Sequence, residues 1–423
     1  MVNIKSFSFM KKLFLPLLFV ALFVIFTPQK SHAVNWMMIQ GTEQRAIKKG
    51  KKTPFLRVWG FVQPQFVYQS NGAYAPFKGN FGGTGPDENV GNGHSSFLIR
   101  RARIGARGAI SDRISYFFLT EFGDNGFTRR NGASNPGRTQ SVAVLTDATV
   151  TVRILGDMLY LRMGQLKLPF GIDGFQGIPA WTFASESEVT AQMLLRPNRN
   201  WAADTGIGAA RLIGAYRDIG AMLFGEAKVG PGKIGYGVGV FNGNNVNQQD
   251  DNQNKDIIGK VQYDMKIGKL IVEVGGSFAF GKHTQLILNY RRLGAELEVK
   301  YGPFGVRGEY IVGADEQTAA RQLSTGAKEI NDRGFYAMGW YYIIPKTLHF
   351  LVRYDQFVAD NEANQSEDYV NRLTFGLNFH FFKQNKFIFN YEKVLRDTFT
   401  KTGGVSYRDG DDIFHAQFIF IFG

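Results

Sequence analysis

The chain has 423 residues, and 49 lysines and arginines against 36 acidic residues give a formal net charge of +13. It contains no cysteine, which excludes a disulfide-stapled secreted module. No basic helix, zinc-ligand spacing or RNP-type aromatic motif accompanies the positive charge, which sets nucleic acid aside as a partner.

Residues 1–33 read as a secretory signal, with Lys5, Lys11 and Lys12 ahead of an apolar run from Leu13 to Phe26 and a small-x-small site at Ser31-His32-Ala33. Removing it takes away four lysines and leaves a net charge of +9, with the mature chain expected to begin at Val34. No later stretch offers the roughly twenty apolar residues that a spanning helix needs. An exported chain of this kind is a soluble protein or an outer-membrane β-barrel. Fifty Gly, 38 Phe and 17 Tyr at a mean hydropathy of −0.17 favour the barrel, because one lipid face and one wet face average out. Residues 34–55, with Arg45, Lys48, Lys49, Lys51 and Lys52, read as a solvated basic lead-in with no assigned function. Residues 56–423 read as the barrel domain.

A first strand is predicted over 56–69, followed by a polar loop rich in Gly, Asn and Pro. In the next segment, FLIRRARIGARGAI, period two places Leu98, Ala102, Ile104 and Ala106 on one face and Arg101, Arg103 and Arg107 on the other. Three guanidinium groups on one face require water or anions there. Arg100 breaks the alternation and lies near the loop end, within reach of lipid phosphate groups. Further strands are predicted over 113–123, 142–154 and 159–168, and the short turns alternating with long loops follow the outer-membrane pattern.

Residues 169–217 do not alternate. They carry Arg196, Arg199, Arg211 and Arg217 against Glu186, Glu188 and Asp204. A loop of this length calls for a function, and the reading is that it folds into the lumen and narrows it. Strands then follow at 219–228, 234–241, 256–266, 269–280, 292–301, 304–314, 334–344, 348–358, 371–382, 386–398 and 413–422. Gly235, Gly237 and Gly239 are expected to face inward and leave the loop its space. The sum is an all-β fold, a transmembrane antiparallel barrel of about sixteen strands. An even count places both termini on the periplasmic side. Counting 206–213 as a further strand would make the tally odd, so 169–217 is kept as one loop, the third long one.

The segments RRARIGARG (100–108), LRMGQLKLPFG (161–171), RDIG (217–220) and GVFNGN (239–244), in that order, resemble the phosphate-selective porins O and P. The resemblance implies a trimeric sixteen-stranded barrel in the bacterial outer membrane, a third loop in the pore, and arginines lining an anion path. Carried onto this chain, that path comprises Arg100, Arg101 and Arg103, with Arg196 and Arg199 on the loop; Arg107 joins them from the alternation. The loop has two arginines three apart where the family has a dense basic run, and the chain ends in Gly423 with Phe422 beside it.

The function expected is passive passage of small inorganic anions such as phosphate or polyphosphate, without enzyme activity, cofactor or metal. Inward arginines in any porin can instead pair with acids across the lumen, here Asp147, Glu186 and Glu188. Lys282, Arg291 and Arg292 read as solvated loop charges, and His349, His380 and His415 as single histidines without metal spacing. A sugar porin would use an aromatic slide, with Trp181, Phe183 and Trp201 as hints. An outer-membrane hydrolase would have to use His94 beside Ser95 and Ser96.

Overall fold

The computed structural model describes residues 42–70, 94–123, 129–131, 139–141, 143–195, 216–244, 246–250, 252–282, 288–317, 328–361, 366–397 and 410–423, and residues 319, 322 and 326 singly. The signal over 1–33, the stretch 206–213, Arg196, Arg199 and Trp201 lie outside the described residues.

The strands are β1 Phe55–Gln69, β2 His94–Ala109, β3 Ile114–Glu121, β4 Arg129–Asn131, β5 Thr139–Ser141, β6 Val144–Leu155, β7 Leu159–Lys167, β8 Arg217–Val229 and β9 Gly232–Phe241. They continue as β10 Asp256–Ile267, β11 Leu270–Lys282, β12 Asn289–Tyr301, β13 Phe304–Glu316, β14 Glu329–Ile344, β15 Leu348–Asn361, β16 Ser366–Phe382, β17 Asn385–Asp397 and β18 Asp412–Phe422. Sixteen of them form one closed antiparallel barrel, each pairing with its neighbour in the chain, and β1 pairs with β18 to complete the ring. β4 and β5 form a separate hairpin within the loop after β3.

Alternation sets the two faces. On β12 Leu293 and Leu297 are exposed on the outer face, whereas Arg292, Glu296 and Glu298 are buried on the inner one. The same division runs through β18, with Phe414, Phe420 and Phe422 outside and His415, Gln417 and Ile419 inside. Closure leaves no open strand edge within the ring, as the hydrocarbon layer requires. Six of the seven short turns on one end carry a residue at positive φ, Gly156, Gly230, Gly268, Gly302, Lys346 and Lys383, and the turn between β2 and β3 closes without one. These short turns mark the periplasmic end.

Two expectations about the ends of elements are corrected. The lead-in is not wholly a solvated tail: Thr42–Lys48 forms a helix, α1, whose Glu43 and Gln44 are buried. Arg292 is no loop charge either, since it lies inside on β12 and pairs bidentately with Asp315 at 2.9 and 2.7 Å. Arg291, on the outer face, pairs with Glu329.

Inside the ring, residues 168–195 pack against the wall. Phe170, Ile172, Phe183, Val189 and Met193 are buried there. For residues 168–195 the space comes from glycines of β12, β13, β14 and β16. A Cβ at Gly294 would stand 3.2 Å from the Phe170 ring, at Gly313 2.7 Å from Met193, at Gly334 3.0 Å from Val189 and at Gly376 3.1 Å from Phe183. At Gly239 the space is filled by the ring of Phe241, 2.5 Å from a Cβ there. The wall of β12, β13, β14 and β16 accommodates residues 168–195, and the rest of the loop up to 215 lies outside the described residues.

Candidate functional site

The arginine ladder on β2 starts from a defect that Pro64 causes. Proline has no N–H to donate to its neighbour strand, so a regular ladder cannot continue past it. Gln63 pairs with Arg101 and Pro64 with Ile99, so Arg100 is the extra residue of a β-bulge. The bulge reverses the alternation upstream. Leu98 therefore packs against the inner apolar cluster instead of facing lipid. Arg100 turns inward and does not serve the lipid headgroups: it pairs with Glu186 at 3.6 Å, as Arg101 does at 3.2 Å.

Below the bulge the alternation holds, and Arg101, Arg103 and Arg107 share the inner face. Arg101 also donates to Gln63 and lies over the Trp181 ring at 5.0 Å. Arg103 pairs with Glu121 at 2.7 Å, both side chains being almost fully buried. Arg107 pairs with Glu43 of α1. Two strands further round the ring add cations: Arg162 on β7, which the spacing did not single out, donates to Thr151, and Arg217, expected in the loop, begins β8 and pairs with Asp147 at 3.0 Å. Lys167 donates to the carbonyls of Gly174 and Gln176 at 3.0 and 2.6 Å. Arg162, Lys167 and Arg217 belong to the segments LRMGQLKLPFG and RDIG, where period two alone could have placed Arg162 inward.

A second group of wall residues grips the main chain of the inner segment. Lys260 donates to the Gly171 carbonyl, Asn378 to that of Thr182, Lys386 to that of Trp181, Arg353 to those of Ser185 and Glu186, and Arg372 to that of Glu186. In return Ser277, Glu309, Asn390 and Asp355 accept from the N–H groups of Gly171, Ile172, Ala184 and Glu188. Arg372 also pairs with Glu392 and Glu188, at 2.9 and 3.1 Å. Irregular backbone buried within a barrel needs such partners, because an unpaired peptide group away from water is costly. Much of the interior charge therefore holds the segment in place.

Thus Asp147, Glu186 and Glu188 are all ion-pair partners, of Arg217, of Arg100 and Arg101, and of Arg372. Trp181 and Phe183 offer no open slide: both are buried beneath the guanidinium groups of Arg101 and Arg353. His349 stacks on His380 at 5.1 Å, and His415 stands 3.2 Å from Glu392; no group of three metal-binding side chains occurs among the described residues.

The family model for the phosphate-selective porins O and P matches residues 73–422. The chain belongs to this family. Solved structures agree on the architecture. The anion-selective porin from Comamonas acidovorans superposes with a TM-score of 0.54 at 15% identity, covering 87% of this chain and 99% of that one. The trimer form of OmpT from Vibrio cholerae gives 0.53 at 9% identity, covering 88% and 100%, and the outer-membrane channel DcaP of Acinetobacter baumannii 0.51 at 13%, covering 86% and 97%. At these identities the likeness is one of fold. No curated protein matches the chain. The porin is an outer-membrane protein, and family and fold point to a channel rather than an enzyme.

Proposed function

We propose that this porin is a passive channel for small anions, phosphate or polyphosphate among them, driven by diffusion alone. The observation that carries the reading is the charge of one wall. Arg100, Arg101, Arg103, Arg107, Arg162, Lys167 and Arg217 converge from β2, β7 and β8, and among the described residues they meet the carboxylates of Glu43, Glu121, Asp147 and Glu186. A wall so rich in guanidinium groups, bounded by low-dielectric surroundings, concentrates anions and repels cations. Arginine suits the task because it stays charged and its planar fork matches phosphate oxygens. Conduction requires that each site bind weakly enough to release, and pairing with carboxylates weakens each one. The inner segment is the constriction, and Arg196 and Arg199, outside the described residues, add positive charge to the same loop. The family's description and the anion-selective porin of similar fold support this reading. The trimer form of OmpT supports a homotrimer, and residues 1–33 direct export and are removed.

Reversal potentials across a planar bilayer in a salt gradient test the proposal. Anion preference is expected, with millimolar phosphate partly blocking chloride current. Cation preference would refute the channel's selectivity; anion preference without block would remove phosphate as the favoured solute.

A further inference from the structure

α1 docks on the inner face of β2 and β3. Its end is a well-formed stop: Gly50, at φ +91°, lets Lys51 N–H bond to the Ala46 carbonyl at 3.1 Å while Gly50 N–H bonds to that of Ile47 at 2.8 Å. Beyond it the exposed run Lys49–Lys52 leads to β1. Among the described side chains of α1, Glu43 and Gln44 are buried, 3% and 0% exposed.

Their environments differ. Glu43 accepts from Arg107 Nε, and Arg162 lies within electrostatic reach of the same carboxylate. The Arg107 guanidinium lies beside two aromatic rings that stack on each other, 5.8 Å from Trp59 and 5.4 Å from Phe117. Its side chain is 23% exposed against 2% for Arg103, so water and solutes reach this rung. Gln44, by contrast, has no hydrogen-bond partner for either buried amide atom among the described residues. Burying an amide without partners is unfavourable. α1 is thus held by its carboxylate while another of its side chains opposes the docking. Such a contact can be exchanged.

We propose that Arg107 and Arg162 form an oxyanion site at the periplasmic end of the ladder, whose resident ligand is the chain's own Glu43, and that a permeating phosphate displaces it and releases α1. The docked carboxylate stands independently of the channel's selectivity; the displacing solute rests on the anion-channel reading. The site lies at the periplasmic end because Arg107 is close to the end of β2 at the short turn before β3, and Arg162 is close to the start of β7. A carboxylate and a phosphate present the same oxygens to the guanidinium fork, so occupancy by one excludes the other.

The chain has no cysteine, so Gln44→Cys introduces a single reporter thiol. In folded porin without phosphate this thiol should react slowly with a membrane-impermeant maleimide. Adding phosphate at constant ionic strength should speed labelling about tenfold, the shift expected when a ligand competes with an internal contact. With Glu43→Gln added, labelling should be fast from the start and indifferent to phosphate. Removing 42–48 should raise single-channel conductance and strengthen phosphate block. Labelling as fast in the parent as with Glu43→Gln would overturn the docking. Labelling unmoved by phosphate that blocks the current would overturn the displacement. Cation preference together with protection that Glu43→Gln abolishes would defeat the anion channel and its displacing solute while upholding the docked carboxylate.

Discussion

At the scale of single residues, the arginines of β2 differ by what they pair with. Arg103 and Glu121 form a closed unit: the carboxylate also accepts from Ala102 N–H and Gly123 N–H, each at 2.8 Å. Replacing Arg103 by alanine leaves that carboxylate buried without its counterion, which costs about 3–5 kcal/mol. The unfolding midpoint in denaturant should fall accordingly, and an unchanged midpoint would show that the pair is not sealed from water. Arg100 and Arg101 instead share the one carboxylate of Glu186, whose side chain is 14% exposed. Glu186→Gln should therefore remove the carboxylate that these two guanidinium groups share and raise the anion-to-cation permeability ratio several-fold, by the field argument. A ratio that stays put in a salt gradient would remove this pair from the path. Charge reversal is more informative at Arg101 than at Arg103, because reversal at Arg103 would bury two carboxylates side by side and the barrel would fail before selectivity could be read.

At the scale of elements, the inner segment depends on glycine positions of the opposite wall. Gly376 faces Phe183 and Gly334 faces Val189. A leucine at 376 keeps the strand pattern but fills the recess, so the segment near Phe183 should lift from the wall. Single-channel conductance should change, while heat-modifiable migration of the barrel should not. Gly239→Leu is the contrasting substitution: it meets Phe241 of its own strand and should disturb local packing without altering the segment. Equal conductance changes in the two variants would contradict the assignment of the recesses. The strands themselves were legible because period two repeats in every one, whereas the recesses were not. Inward glycines occur on β9 and on β16 alike, and nothing in a strand's own residues says which aromatic ring will fill the space. The bulge at Arg100 was within reach of sequence reasoning: Pro64 announces a break in one strand, but the residue that breaks in register opposite it depends on pairing.

At the scale of the whole molecule, closure assigns each strand one lipid face and one wet face, and substitutions should obey that division. Leu293, near the middle of β12, is exposed on the outer face. Leu293→Arg should destabilise by about 2–4 kcal/mol, the cost of a cation near the bilayer midplane. Reversible unfolding in lipid vesicles measures it, and a loss well under 1 kcal/mol would place β12 away from lipid. The sequence by itself determined the barrel, its strand count and the inward aim of Arg101, Arg103 and Arg107, because alternation is a local property that each strand carries alone. It also limited Asp147, Glu186 and Glu188 to being carboxylates available for pairing. Only the tertiary structure decided which cation each one meets, that Lys260, Arg353, Arg372 and Lys386 hold the main chain of the inner segment, and that Glu43 of the lead-in sits on Arg107. Those contacts join residues that only ring closure brings together across the lumen, and their partners are set by shape and charge in the interior, which no periodicity records.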